Sequence, residues 1–187
     1  MRNFATLIAR SVLGSYLSVH GAQKLFGSFG GPGLDAAGAG FEKMGLRPGK
    51  TMATLAGASE LGGGLLTATG VAYPLGPLAI GGAMAVASTV HRRQGPMAAK
   101  GGFELPLTNF SLALLLGASG PGRLRLGPHL PKKLARLSFL GGLALTGVAL
   151  SQVLRAKPPV PASASSAASK PDGEEAAPSP ASSSAAG

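Results

Sequence analysis

The chain has 187 residues, of which 45% are hydrophobic, with no cysteine, no tryptophan and a formal net charge of +10. Without cysteine there are no disulfides, thiol relays, thiolate-held iron–sulfur clusters or Cys-rich zinc sites, so a redox role needs a bound cofactor, a quinone or a partner protein. Nucleic acid is excluded by charge distribution: the basic residues fall between apolar runs rather than along one helix face, and stacking aromatics are few. Positive loops between oily segments are instead the pattern of a membrane protein.

Taken in order, residues 4–21 form a first apolar run, close to the ~20 residues that a bilayer-crossing helix needs. Arg2 precedes it and Arg10 interrupts it. Residues 23–50 read as a glycine-rich loop, broken by Gly30, Gly31, Pro32 and Gly33, with a short amphipathic turn of helix from Phe41 to Gly49 at a membrane surface. A second span is expected over 51–71. Its small residues Ala53, Gly57, Gly64 and Thr67 fall on one face around Glu60.

A short uncharged connection, Ala72 to Pro77, leads to a third span over 75–91, ending in His91, Arg92 and Arg93. A fourth, over 103–118, opens with Glu104 and carries Pro106 in its first turn, where proline is tolerated. The basic loop that follows holds Arg123, Arg125, Lys132, Lys133 and Arg136, with His129 read as a solvated histidine. A fifth apolar run, Leu137 to Leu154, is nearly long enough to span, and Ser138, Gly142, Thr146 and Ala149 give it a packing face. From Lys157 the chain is almost wholly Ala, Ser and Pro, too poor in apolar bulk to fold alone, and is expected to be disordered.

The architecture predicted from this pattern is all-α: a four-helix membrane bundle (residues 1–125), a basic loop with a fifth hydrophobic helix (126–156) and a disordered tail (157–187). Acidic residues are scarce. Of seven in the chain, Asp35, Glu42, Glu60 and Glu104 lie in the body. If four spans cross alternately, His20, Gln23, Lys24, His91 and Glu104 share one membrane face. Glu60 lies about nine residues inside the second span, roughly 14 Å below that face at ~1.5 Å per residue. Arg10 approaches the same depth from the other side, so an Arg10–Glu60 ion pair is expected to floor a polar pocket rimmed by the other five. The competing reading is that this pair merely neutralises itself and fixes helix register. No pair of histidines or carboxylates has ligand spacing on one helix, so no metal is expected. Neither a nucleotide-binding glycine fingerprint nor a nucleophile elbow is present.

Six short stretches, in order, resemble one family: His20 to Leu34, Gly45 to Gly49, Glu60 to Gly64, Pro74 to Gly76, Val90-His91 and Gly101 to Glu104. Together they resemble the DoxX family of small bacterial membrane proteins, over about residues 4–125. The resemblance implies a four-helix membrane bundle in the bacterial plasma membrane and an association with redox physiology, as in the membrane subunit of a thiosulfate:quinone oxidoreductase. Pro96-Met97 and Leu105 depart from it, standing where aromatic residues are expected.

The implied function is a membrane subunit or quinone-interacting component of a redox system, with other redox proteins and the lipid bilayer as partners. In that role Glu60 would carry protons or hydrogen-bond a quinone oxygen. His20 or His91 would exchange protons with it, since an imidazole titrates near pH ~6.5, and Lys24 and Arg10 would set the local potential. The alternatives are a non-enzymatic scaffold that recruits soluble oxidoreductases and a small-solute transporter, the latter lowered by the lack of an inverted repeat.

Overall fold

The computed structural model describes residues 2–155, and the tail expected to be disordered lies outside the described residues. Among the described residues the chain is built from six α-helices: α1 Arg2–Phe26, α2 Gly33–Lys43, α3 Gly49–Thr69, α4 Leu75–His91, α5 Glu104–Ser119 and α6 Lys132–Arg155. Two of their ends follow from glycine. α1 stops at Gly27 and α3 at Gly70, with φ of 70° and 72°, the left-handed conformation that only glycine adopts without strain. The Gly70 amide then donates back to the carbonyls of Leu66 and Thr67, closing the helix end.

The segment expected to be a loop with a short turn at 41–49 is instead a helix, α2, followed by a turn over 44–48. Its alanines favour the helix, and Asp35 in the first turn and Lys43 in the last complement the helix dipole. Glycine here serves packing: a Cβ on Gly38 would sit 3.0 Å from the Lys50 backbone, so its absence lets α2 lie against the start of α3.

Small residues also set the register of α1 and α3. A side chain on Gly14 would meet the backbone of Gly64 and Ala68, and one on Gly21 would meet that of Gly57 and Leu61. Rising numbers on α1 face falling numbers on α3, so the two helices run antiparallel with backbones in close approach. α4 returns antiparallel to α3, with Gly63 facing Gly76 and Ile80. α5 returns again, with Gly81 facing Ala113. Leu13, Leu17, Ile80, Met84, Ala113 and Leu116 fill the centre. α6 packs outside on α4 in parallel, Leu78 facing Gly142 and Gly82 facing Thr146.

The exterior is oily and the interior partly polar. Phe4, Ile8 and Val12 on α1, Leu55 and Leu65 on α3, Leu107, Leu114 and Leu115 on α5, and Leu137, Leu140 and Leu143 on α6 are exposed, whereas Arg10, Ser18, Glu60 and Thr67 are buried. Nevertheless, among the described residues no helix is long and apolar enough to cross a membrane. The four expected spans therefore appear as helices without qualifying as spans. α4 and α5 have only 17 and 16 residues, and α1 and α3 carry Arg10 and Glu60.

Candidate functional site

The α1–α3 register decides which charges meet. Glu60 sits on α3 between Gly57 and Gly64, and those two glycines face Gly21 and Gly14 of α1. The level of Glu60 on α1 is therefore near residues 18–24. Lys24 reaches it: Nζ lies 2.5 Å from Glu60 Oε2, with the lysine side chain 23% exposed and the carboxylate side chain 6%. A charge-assisted hydrogen bond of this kind is stronger than a neutral one, and the scarcity of water strengthens it further.

The expected Arg10–Glu60 pair does not form. Arg10 lies against Gly70, ten residues beyond Glu60 on α3, about 15 Å along a helix. Its Nη2 donates instead to the carbonyl of Leu124. Assigning both residues the same depth placed Arg10 too near: α1 runs as far as Phe26, so its Lys24 end and not its middle overlies the carboxylate.

Around the Lys24–Glu60 pair the remaining residues divide. His20 is exposed and sets its ring edge-on to Tyr16, with centroids 5.9 Å apart. The Tyr16 hydroxyl donates to Oδ1 of Asn109 on α5, whose Nδ2 lies 3.8 Å from Met84 Sδ on α4. Tyr16, His20 and Lys24 thus form one stripe of α1 at four-residue steps. Gln23 is half-buried, with the Gly31 backbone lying directly over its side chain. His91, at the end of α4, is half-buried and its Nδ1 has no hydrogen-bond partner among the described residues. Glu104 is exposed in the first turn of α5. The antiparallel order of α1, α3, α4 and α5 brings all of these to one end of the bundle, whereas Arg10 and the exposed His129 are at the other.

Tyr16 and Asn109 are not among the candidate residues that the sequence singles out. The signal was present, since Tyr16 precedes His20 and Lys24 by four and eight residues. Among the described residues no group of three or more His, Cys, Asp or Glu could hold a metal ion. What the pair can do chemically is hold a proton in either of two places: as ammonium and carboxylate, or as amine and carboxylic acid.

The DoxX family model matches residues 5–92. That segment contains Arg10, His20, Gln23, Lys24, Glu60 and His91 and stops short of Glu104. Neither a curated protein nor a solved structure matches the chain. DoxX proteins are membrane-associated, which supports a membrane location. Residues 5–92, which hold both partners of the buried ion pair, thus match a DoxX domain, and this match supports membership of the DoxX family.

Proposed function

We propose that this protein is a multi-pass bundle of the bacterial plasma membrane and that the Lys24–Glu60 end of it receives a quinone, making it a quinone-interacting membrane component of a redox system. Two features support the membrane part. The apolar side chains named above face outward along α1, α3, α5 and α6, and such continuous apolar exterior is foreign to a water-soluble monomer. Among the polar residues of α1 and α3, Arg10, Ser18, Glu60 and Thr67 face inward, where lipid does not meet them.

The single observation that carries the redox part is Glu60 itself: an ionisable residue in the middle of an apolar helix, 5% exposed, held by a lysine that retains an opening to the outside. The donors present fit a quinone, since the Lys24 ammonium and the exposed His20 imidazole both offer N–H groups to a carbonyl oxygen. When bound, the quinone would supply a couple that takes up two electrons and two protons. The chain's part is to hydrogen-bond one quinone oxygen through Lys24, hold a proton at the Glu60 carboxyl, and exchange it through His20 at the rim. Electrons come from a partner redox protein.

The test is to purify the protein in mild detergent and analyse an organic extract by mass spectrometry. A stoichiometric quinone in wild type that is lost from Glu60→Gln is the expected result. Equal quinone content in both, or none in either, sinks the assignment of Glu60. A scaffold role is favoured by Phe26 and Phe29, 71% and 76% exposed beside the same end of the bundle. Partner capture that survives Glu60→Gln but fails in Phe26→Ser/Phe29→Ser would put that role first.

A further inference from the structure

The second buried charge, Arg10, sits at the opposite end of the bundle from Glu60 and takes no part in the reading above. It is 4% exposed, and a guanidinium keeps its charge at any ordinary pH. One hydrogen bond, to the Leu124 carbonyl, is made through Nη2, while Nε and Nη1 have no partner among the described residues. The Thr67 hydroxyl, 2% exposed, is likewise unpartnered. These side chains line one cavity with Gly70, Tyr73, Pro77, Leu116, Gly120 and Pro121, of about 10 Å³, the space of roughly one small sphere the size of a water molecule.

No carboxylate of the described residues can answer this charge. Glu60 is taken by Lys24, Asp35 by Lys50, and Glu42 accepts from the Gly49 amide. Glu104 opens α5, at the far end of the bundle. The carbonyl ends of α3 and α5 border the cavity and carry about half a negative charge each, which offsets part of the guanidinium's charge. They leave the Nε and Nη1 donors unmatched. The place is also built for the guanidinium: any side chain on Gly70 would collide with Nη1.

We propose that this cavity binds one small inorganic anion of halide size, held by Nε and Nη1 of Arg10 with the Thr67 hydroxyl as a further donor. Size selects the ligand class, since a cavity for one small sphere excludes phosphate and organic carboxylates. Charge selects an anion over water, because only an anion neutralises the buried guanidinium. Binding there joins α1, α3 and the 120–124 segment, so the anion acts as a structural ligand of the folded bundle.

The experiment is thermal unfolding of the full chain in mild detergent, at constant ionic strength, as sodium gluconate is replaced by sodium chloride or bromide. Wild type is expected to gain several degrees, saturably, with either halide. Arg10→Gln should unfold at the same temperature in all three salts. Thr67→Val, which keeps the charge and the shape, should need about tenfold more halide for the half-maximal shift, as expected for one lost hydrogen bond. A wild-type midpoint equal in gluconate and halide overturns the proposal and leaves the cavity to water. So does an undiminished halide shift in Arg10→Gln. Should that variant fail to fold, an unchanged halide requirement in Thr67→Val is equally fatal.

Discussion

At one end of α1 a buried carboxylate is met by a lysine 2.5 Å away, and at the other a buried guanidinium meets only backbone carbonyl oxygen. Both charges are nearly removed from solvent, Glu60 at 5% and Arg10 at 4% exposure. Burial alone therefore does not set what a charge contributes. The partner does: a carboxylate held by an ammonium is a closed unit whose halves depend on each other, whereas a guanidinium without a counter-charge is a standing cost that an anion from outside can lower.

The sharpest way to break this contrast is to remove one partner at each end. Lys24→Met strands Glu60 as an unpaired buried acid and should cost about 3–5 kcal/mol of unfolding free energy, the usual size for such a loss. The double replacement Lys24→Met/Glu60→Leu should recover most of that loss. Arg10→Met, measured in halide-free buffer, should leave stability unchanged or raised, because no carboxylate is stranded. Denaturant unfolding in detergent measures all three. A loss in Arg10→Met as large as in Lys24→Met would show that the guanidinium already has a strong partner of its own.

A smaller effect belongs to Tyr73, in the α3–α4 connection beside the Arg10 cavity. Its hydroxyl donates to the carbonyl of Leu116, and burial pushes its pKa up to about 12 from an ordinary 10.0. A phenol raised in the folded state stabilises fully below the unfolded value. That contribution falls away as pH climbs from 10.0 through about 12. Tyr73→Phe should cost about 1 kcal/mol at neutral pH for the lost hydrogen bond. It should also flatten the alkaline decline of stability across that window. A decline of the same slope in Tyr73→Phe would assign the titration to another group.

How much of this was legible in the sequence depends on the kind of signal. Helix positions followed from apolar runs and breakers, so α3, α4 and α5 lie within a few residues of the expected spans. Gly57, Glu60, Gly64 and Thr67 do share a buried face of α3, as their three- and four-residue spacing implied. α2 was missed because glycine reads as a loop residue, while Gly38 serves here to let two backbones touch. The Arg10–Glu60 pairing failed for a different reason. Depth along a helix depends on where the neighbouring helix begins, and the continuation of α1 to Phe26 shifted every level by several residues. Tyr16–Asn109 joins residues 93 apart in the chain, a contact that local pattern does not encode.

The ion pair at the surface gives the mildest test of the comparison. Lys50 Nζ lies 2.7 Å from Asp35 Oδ1, hardly longer than the Lys24–Glu60 contact, yet its side chains are 66% and 88% exposed. The hydrogen bond and charge of Lys50 hold the Asp35 carboxyl below its ordinary 3.8. The sign follows: whatever stability the pair adds is present above 3.8 and is lost as pH falls through the lowered value. Water and salt screen such a pair, so Asp35→Asn should leave the unfolding midpoint at neutral pH unchanged within error. Raising the salt should abolish any residual difference from wild type while leaving the Lys24→Met deficit in place. A shift in Asp35→Asn comparable to that of Lys24→Met would mean that contact distance outweighs burial in this fold, and the contrast between its two ends would lose its physical basis.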